Sequence, residues 1–253
     1  MAEKVKKYLS GRFAFKTDIG KVRLTNEDQA VAMINARGNV LLLVCDGMGG
    51  QSKGDLASAI AKRVVCDAFE DKSRFFNKYD ALHWVAKTIK TANTEIYNQA
   101  CKNPDYEGMG TTLTLVLLVK DYMILGQVGD SRAYAYHDGQ FRQFSEDQTY
   151  VAYLYRTGQI KKEEMASHPK RHVLMNALGF YPSLDLDRKI FPYNNERILL
   201  CSDGLYNNVS DNNIESIMRG DDSVDQKVRE LITMANNNGG SDNIAIVIWE
   251  ADE

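Results

Sequence analysis

Asn39-Val40-Leu41-Leu42-Leu43-Val44-Cys45-Asp46-Gly47-Met48-Gly49-Gly50 is the stretch that decides the fold. Val40 to Cys45 is an unbroken apolar run, too short to cross a membrane and of the right length for a strand buried on both faces. The run stops at Asp46, and a glycine-rich turn follows. A carboxylate at the end of a buried strand is expensive to desolvate and needs a partner. The same grammar recurs twice: Ile198 to Ser202 runs into Asp203-Gly204, and Gly240-Ser241-Asp242-Asn243 precedes the apolar Ile244 to Trp249. Three acids at strand ends, each beside glycine, point to one site assembled from distant parts of the chain.

Working outward, Phe13 to Thr17 reads as a short strand closing on Asp18-Ile19-Gly20, and Val31, Met33 and Asn35 alternate as a second strand. Arg37-Gly38-Asn39 is hairpin turn chemistry. A hairpin centred on Gly38 places Asp46 opposite Ala30, with Asp28 its diagonal neighbour at about 7 Å. Two long helices are predicted next, with inner faces Leu56, Ile60, Ala61, Val64, Val65 and Ala68, then Leu82, Val85, Ile89, Ala92 and Ile96. Hairpins follow over Thr112 to Val128 and Ala133 to Phe144. The first ends in Gly129-Asp130-Ser131-Arg132, where Arg132 is one available partner for Asp130. Residues 147–178 are polar, with short helical pieces at Tyr150 to Arg156 and Lys162 to Ala166, and read as a lid-like insertion with a weak core. A strand over Arg197 to Cys201, a helix capped by Ser210, another opened by a Ser223/Gln226 capping box and a last strand complete the chain. Segregated runs of strands and helices favour an α+β layered fold over a doubly wound one.

Composition narrows the function. The chain has 253 residues, 44% of them hydrophobic, and a net charge of −3, enough for one large domain over 1–253. No stripe of Lys and Arg suggests a nucleic-acid partner. The basic residues Lys4, Lys6, Lys7, Arg12 and Lys16 have no apolar signal segment beside them, and no run is long enough for a membrane span, so no membrane partner and a cytoplasmic location are expected. The four cysteines, Cys45, Cys66, Cys101 and Cys201, lack metal spacing and read as buried free thiols in a reducing compartment. His83, His137, His168 and His172 show no ligand spacing either.

Aspartates without histidine or thiolate companions suit hard, oxygen-seeking cations such as Mg²⁺ or Mn²⁺. Gly47, lacking Cβ, lets its carbonyl approach an ion. Two such ions about 3.5–4 Å apart can hold a bridging hydroxide and neutralise a phosphoryl group during in-line displacement. Arg23 offers the fork that a phosphate monoester requires.

As a set, Thr17-Asp18-Ile19-Gly20 with Arg23 and Asn26-Glu27-Asp28, Asp46-Gly47-Met48-Gly49-Gly50, Gly110-Thr111-Thr112, Gly129-Asp130-Ser131-Arg132, Ser202-Asp203-Gly204-Leu205 and Gly240-Ser241-Asp242-Asn243 resemble the ordered motifs of the protein phosphatase 2C (metal-dependent PPM) family. The resemblance implies a four-layer α-β-β-α sandwich, two antiparallel central sheets flanked by helices. It implies hydrolysis of phosphoserine and phosphothreonine in phosphorylated proteins, the substrates of a serine/threonine kinase, by direct attack of a metal-bridging hydroxide. Asp46 would bridge two Mg²⁺ or Mn²⁺ ions and the Gly47 carbonyl would bind one. Asp203 and Asp242 would hold the other, and Asp130 with Asp203 a weaker third. Glu27 and Asp28 would orient metal-bound waters, Arg23 would receive the phosphate, and residues 147–178 match a mobile flap. Met48 stands where many eukaryotic members carry histidine. A thioether cannot donate a proton, which points to the bacterial branch and leaves the proton donor open. A monomer without further domains is expected. The alternative within the same fold is a pseudophosphatase that binds phosphoproteins without turnover; Asp46, Asp203 and Asp242 argue against it. A cysteine-dependent phosphatase lacks its phosphate-cradling loop.

Overall fold

The computed structural model describes residues 9–49, 53–72 and 74–252. Gly50 of the glycine run and the basic residues Lys4, Lys6 and Lys7 lie outside the described residues. In chain order the elements are β1 (Gly11–Asp18), β2 (Asp28–Ile34), β3 (Val40–Met48), α1 (Lys53–Glu70), α2 (Lys78–Lys102), β4 (Gly110–Thr111), β5 (Leu113–Val119), β6 (Tyr122–Val128), β7 (Arg132–His137) and β8 (Gln140–Gln143). They continue with α3 (Tyr150–Arg156), α4 (Lys162–Met165), β9 (Asp187–Pro192), β10 (Arg197–Cys201), α5 (Asp203–Tyr206), α6 (Asp211–Arg219), α7 (Val224–Asn237) and β11 (Ile244–Ala251). One sheet runs β1-β11-β10-β7-β8 and the other β2-β3-β5-β6-β9, with β4 paired to the end of β3; every pairing is antiparallel.

Three apolar layers follow from strand alternation. On β3, Leu41, Leu43 and Cys45 pack under α1 and α2 with Val65, Ile89 and Ile96. The opposite face of β3, Val40, Leu42 and Val44, meets Ile198, Leu200, Val247 and Trp249 of the other sheet. The far face of that second sheet, Leu199, Ile246 and Ile248, is covered by α6 and α7 through Ile214, Val228 and Leu231. The order is therefore α-β-β-α, as the resemblance implies. Both faces of each central strand are covered by other layers, which explains a sequence that is apolar without alternation.

Local caps agree with the sequence. Ser210 accepts from the amide of Asn213 to start α6, and Ser223 and Gln226 form the capping box of α7. The β2–β3 hairpin corrects the expected register. Asn35, not Gly38, organises the turn: its Oδ1 accepts from the amides of Arg37 and Asn39, and its own amide donates to the Asn39 carbonyl. Gly38 only supplies a left-handed residue (φ +68°). The pairing shifts by two residues, so each side chain keeps its face but Asp46 sits directly opposite Asp28 instead of Ala30. β9 was not expected at all, because Asp187, Arg188 and Lys189 break the apolar pattern; it is an edge strand beside β6, where one side stays wet. The cysteines also differ from expectation: Cys45 and Cys201 are buried, Cys66 is half-buried and Cys101 is exposed.

Candidate active site

The site lies where the layer between the two sheets turns from apolar to polar. Seven strands contribute, each by the same two-residue step along its inward face. Val44 is followed by Asp46, Ala30 is preceded by Asp28, Val116 by Thr114 and Thr112, and Ala133 by Ser131. Leu125 is followed by Gln127, Leu200 by Ser202, and Ala245 is preceded by Asn243. Antiparallel pairing brings all seven transitions to one end of the sandwich.

Hydrogen bonds then stitch the sheets together. Ser202 Oγ donates to Asp28 Oδ2 (2.6 Å) and accepts from the Ala245 amide (2.8 Å). Thr112 Oγ1 accepts from the Asp46 amide (2.9 Å) and is hydrogen-bonded to Ser131 Oγ (2.8 Å). Thr111 Oγ1 and the Thr112 amide both donate to the Asp46 carbonyl. Asn243 holds the loop that carries Arg23 and Glu27: its Nδ2 donates to the carbonyls of Ile19 and Thr25, and its Oδ1 accepts from the Glu27 amide, each at 2.9 Å. Thr111 and Thr112 thus clamp the backbone of Asp46, and Asn243 clamps the loop of Arg23 and Glu27.

Gly47 is required by close packing. A Cβ there would lie 2.2 Å from the Gly54 carbonyl oxygen and 2.5 Å from that of Glu27, where the end of β3 crosses the start of α1. This steric reason is independent of the role expected for the Gly47 carbonyl.

Arg23, Glu27, Asp46, Gly47, Asp130, Asp203 and Asp242 line one cleft of about 810 Å³, and Asp28 lies buried beside it. Burial, with the nearby charges of Asp28, Asp203 and Asp130, holds the Asp46 carboxyl well above the usual range. Burial and the charges of Asp130 and Asp242 do the same to Asp203. Asp28 is pushed up to about 7, by burial first and against the Ser202 hydrogen bond. Burial and Asp147 raise Asp130 to about 6. Arg23 pairs with one member of this set: its Nη2 lies 2.7 Å from Asp242 Oδ2 and it remains about half exposed. Arg132, the available partner for Asp130 in the sequence, makes its hydrogen bonds elsewhere. Its guanidinium forks onto Asp147 and stacks 3.6 Å from the Tyr206 ring centroid.

The donor set fits divalent cations. Asp203 Oδ2 accepts from Asn207 Nδ2, but its Oδ1 is buried with no hydrogen-bond partner. A buried carboxylate oxygen left so, amid other acids, is stabilised by a cation. Among the described residues no three acidic, histidine or cysteine side chains already converge at ligating distance. Asp28 Oδ2 accepts from Ser202, and Asp242 Oδ2 accepts from Arg23.

Sequence reasoning missed the wall that residues 147–178 supply. Arg171, His172 and Leu174 line the cleft, as does Phe180 just beyond. The segment is tied down at both stems: the Met175 amide donates to the Gln148 carbonyl, and Leu178 pairs with Thr111, the same threonine that fixes Asp46. Nothing periodic marks these positions, so no sequence signal could have selected them. Asn243 could have been found, since it stands in a quoted motif.

A family model described as protein phosphatase 2C matches residues 21–247. The serine/threonine phosphatase Stp of Listeria monocytogenes is 36% identical over 239 residues, covering 94% of this chain and 95% of that protein. Among solved structures, the serine/threonine phosphatase Stp1 of Staphylococcus aureus superposes with a TM-score of 0.91 at 31% identity over all of both chains. The catalytic domain of the serine/threonine phosphatase PstP, in complex with two manganese ions, superposes with a TM-score of 0.85 at 32% identity, covering 97% of this chain and 100% of that one.

Proposed function

The chain belongs to the protein phosphatase 2C family, and we infer that it is a Mg²⁺- or Mn²⁺-dependent protein serine/threonine phosphatase working from the cleft at the polar end of the seam. The observation that carries this reading is Asp203 Oδ1, buried and unpartnered among several acids, of which Arg23 pairs directly with Asp242. Asp46, the Gly47 carbonyl, Asp203 and Asp242 are the residues assigned to two divalent ions, and Asp130 with Asp203 to a weaker third. When bound, the ions supply Lewis acidity, activating water as the nucleophile and neutralising the phosphoryl oxygens.

The chain's own residues do the rest. Asp28 accepts from Ser202 and lies directly opposite Asp46, and Glu27 and Asp28 are assigned to orient water at the ions. Arg23 is half exposed at the cleft wall and exchanges Asp242 for the phosphate when substrate arrives. No cysteine among the described residues lines the cleft, and burial raises the Cys45 and Cys201 thiols far above their ordinary range, which disfavours a cysteine nucleophile. Residues 147–178 serve as a flap, which the placing of Arg171 and His172 on the cleft wall supports.

The substrates are phosphoproteins, and we assign them to a serine/threonine kinase acting in the same compartment. No helix among the described residues is long and apolar enough to cross a membrane. The free cysteines favour a reducing, cytoplasmic site of action. A monomeric single domain over 1–253 fits the charged edge strand β9 and the polar β8 (Gln140, Arg142, Gln143), which oppose edge pairing. The test is hydrolysis of an aryl phosphate and a phosphothreonine peptide with Mn²⁺, then with excess chelator. Turnover that survives chelation would overturn this function.

A further inference from the structure

Phe180 forms part of the catalytic cleft wall, and the same residue lines an adjoining groove of about 580 Å³ with Tyr97, Ala100, Cys101, Pro104 and Tyr181. We propose that this groove receives an apolar or aromatic side chain of the phosphoprotein substrate, close in sequence to the phosphorylated serine or threonine. The proposal rests on the phosphatase reading and adds a subsite to it.

The floor and one wall come from helical spacing. Tyr97, Ala100 and Cys101 stand at i, i+3 and i+4 on the last turns of α2, so they share a face. Asn103 then ends the helix and caps a single 3₁₀ turn that begins at Pro104. The opposite wall is the run Gly179-Phe180-Tyr181. Gly179 sits at φ +93°, and a Cβ there would lie 2.4 Å from Ile96 Cγ2, so only glycine lets the backbone lie this close on α2. Buried Asn93 pins the run twice: its Oδ1 accepts from the Gly179 amide (2.9 Å), and its Nδ2 donates to the Tyr181 carbonyl (3.0 Å). The Phe180 ring lies over Gly110, where a Cβ would come within 2.7 Å of Cε1. The wall is therefore preset.

What it presents is apolar and uncovered. Phe180 is 40% exposed and Tyr181 67% exposed, side by side at the mouth of a catalytic cleft. Two neighbouring exposed aromatics on a backbone pinned this firmly suit a partner's side chain. The lining settles the class of occupant. No Lys or Arg lines the groove and Glu107 does, so it repels phosphate and is not an extension of the phosphate site. An extended substrate advances about 3.3 Å per residue, so one whose phosphorylated residue sits in the cleft can cross Phe180 and place a nearby residue in the groove.

Cys101 provides the test, because it is the exposed cysteine of the groove while Cys45 and Cys201 are buried. In a Cys66→Ser background, Cys101 is alkylated with a bulky maleimide. Phosphothreonine peptides with phenylalanine or leucine at successive flanking positions are compared with alanine-flanked peptides and with an aryl phosphate. The unlabelled enzyme should prefer an apolar flank at one position by about tenfold in kcat/KM. Labelling should erase that preference and leave aryl phosphate turnover unchanged. Tyr181→Ala, which keeps the carbonyl bond to Asn93, should weaken the preference without labelling. The proposal is overturned if the unlabelled enzyme shows no flank preference. It is also overturned if the preference survives both labelling and Tyr181→Ala, or if labelling slows aryl phosphate as much as peptide. Absence of any Mn²⁺-dependent aryl phosphate hydrolysis would instead overturn the phosphatase reading, and the groove with it.

Discussion

The apolar middle and the polar end of the inter-sheet seam are built by the same strands on the same face, two residues apart. At the middle, Leu42, Val44, Leu200 and Val247 exclude water and join the sheets by burial. At the end, Asp46, Asp28, Ser202 and Asn243 occupy the next inward positions, joined by directed hydrogen bonds around carboxylates that burial disfavours. The middle is held by its own chemistry, whereas the end needs a ligand. The rigid middle sets the spacing of acids that would separate if left to repel.

The contrast breaks most sharply on metal removal. Excess chelator should abolish phosphatase turnover, and Mn²⁺ or Mg²⁺ should restore it. The same additions should raise the melting temperature, since an ion that binds only the folded state stabilises it by mass action. A melting temperature unmoved by saturating Mn²⁺ would mean that the polar end is stable without an ion.

Leu42→Ala tests the other end. It should cost about 2–5 kcal/mol of folding stability by leaving a cavity in the seam, read from the denaturant midpoint. Activity per folded molecule should stay near wild type. If activity falls as far as stability, the two ends are not separable.

Asp203→Asn should do the reverse. Loss of one charge from a site that works by electrostatic stabilisation should cut turnover by about a hundredfold or more. The metal-free variant should melt no lower than the metal-free wild type, because a buried negative charge amid like charges disappears. Wild-type turnover at limiting metal would remove Asp203 from the ligand set.

Arg23→Ala should have the smallest effect, raising KM for phosphorylated substrates by about tenfold with kcat little changed, because it removes a contact made in ground and transition states alike. Its bond to Asp242 is exposed and adds little stability, so the melting temperature should hold. An unchanged KM on every substrate would show that Arg23 serves only to pair with Asp242.

The sequence by itself determined the layers and the acids. An apolar run without alternation, as in Val40 to Cys45, means burial on both faces, and the acids and glycines at strand ends mark where that burial stops. The caps at Ser210 and Ser223 were legible because a cap depends only on residues three apart. What needed the tertiary structure depends on neighbours distant in sequence. Asp28 faces Asp46 because the Asn35 side chain, not Gly38, shapes the turn. Arg132 turns to Asp147 because the Tyr206 ring lies under it, 74 residues away in sequence. β9 pairs despite its charges because β6 offers an open edge. Arg171, His172 and Phe180 line the cleft on a segment anchored by Met175 to Gln148, Leu178 to Thr111 and Gly179 to Asn93. Periodicity records whether a side chain faces the core. It carries no record of which surface a polar segment is folded back upon, since that depends on where its anchors happen to lie.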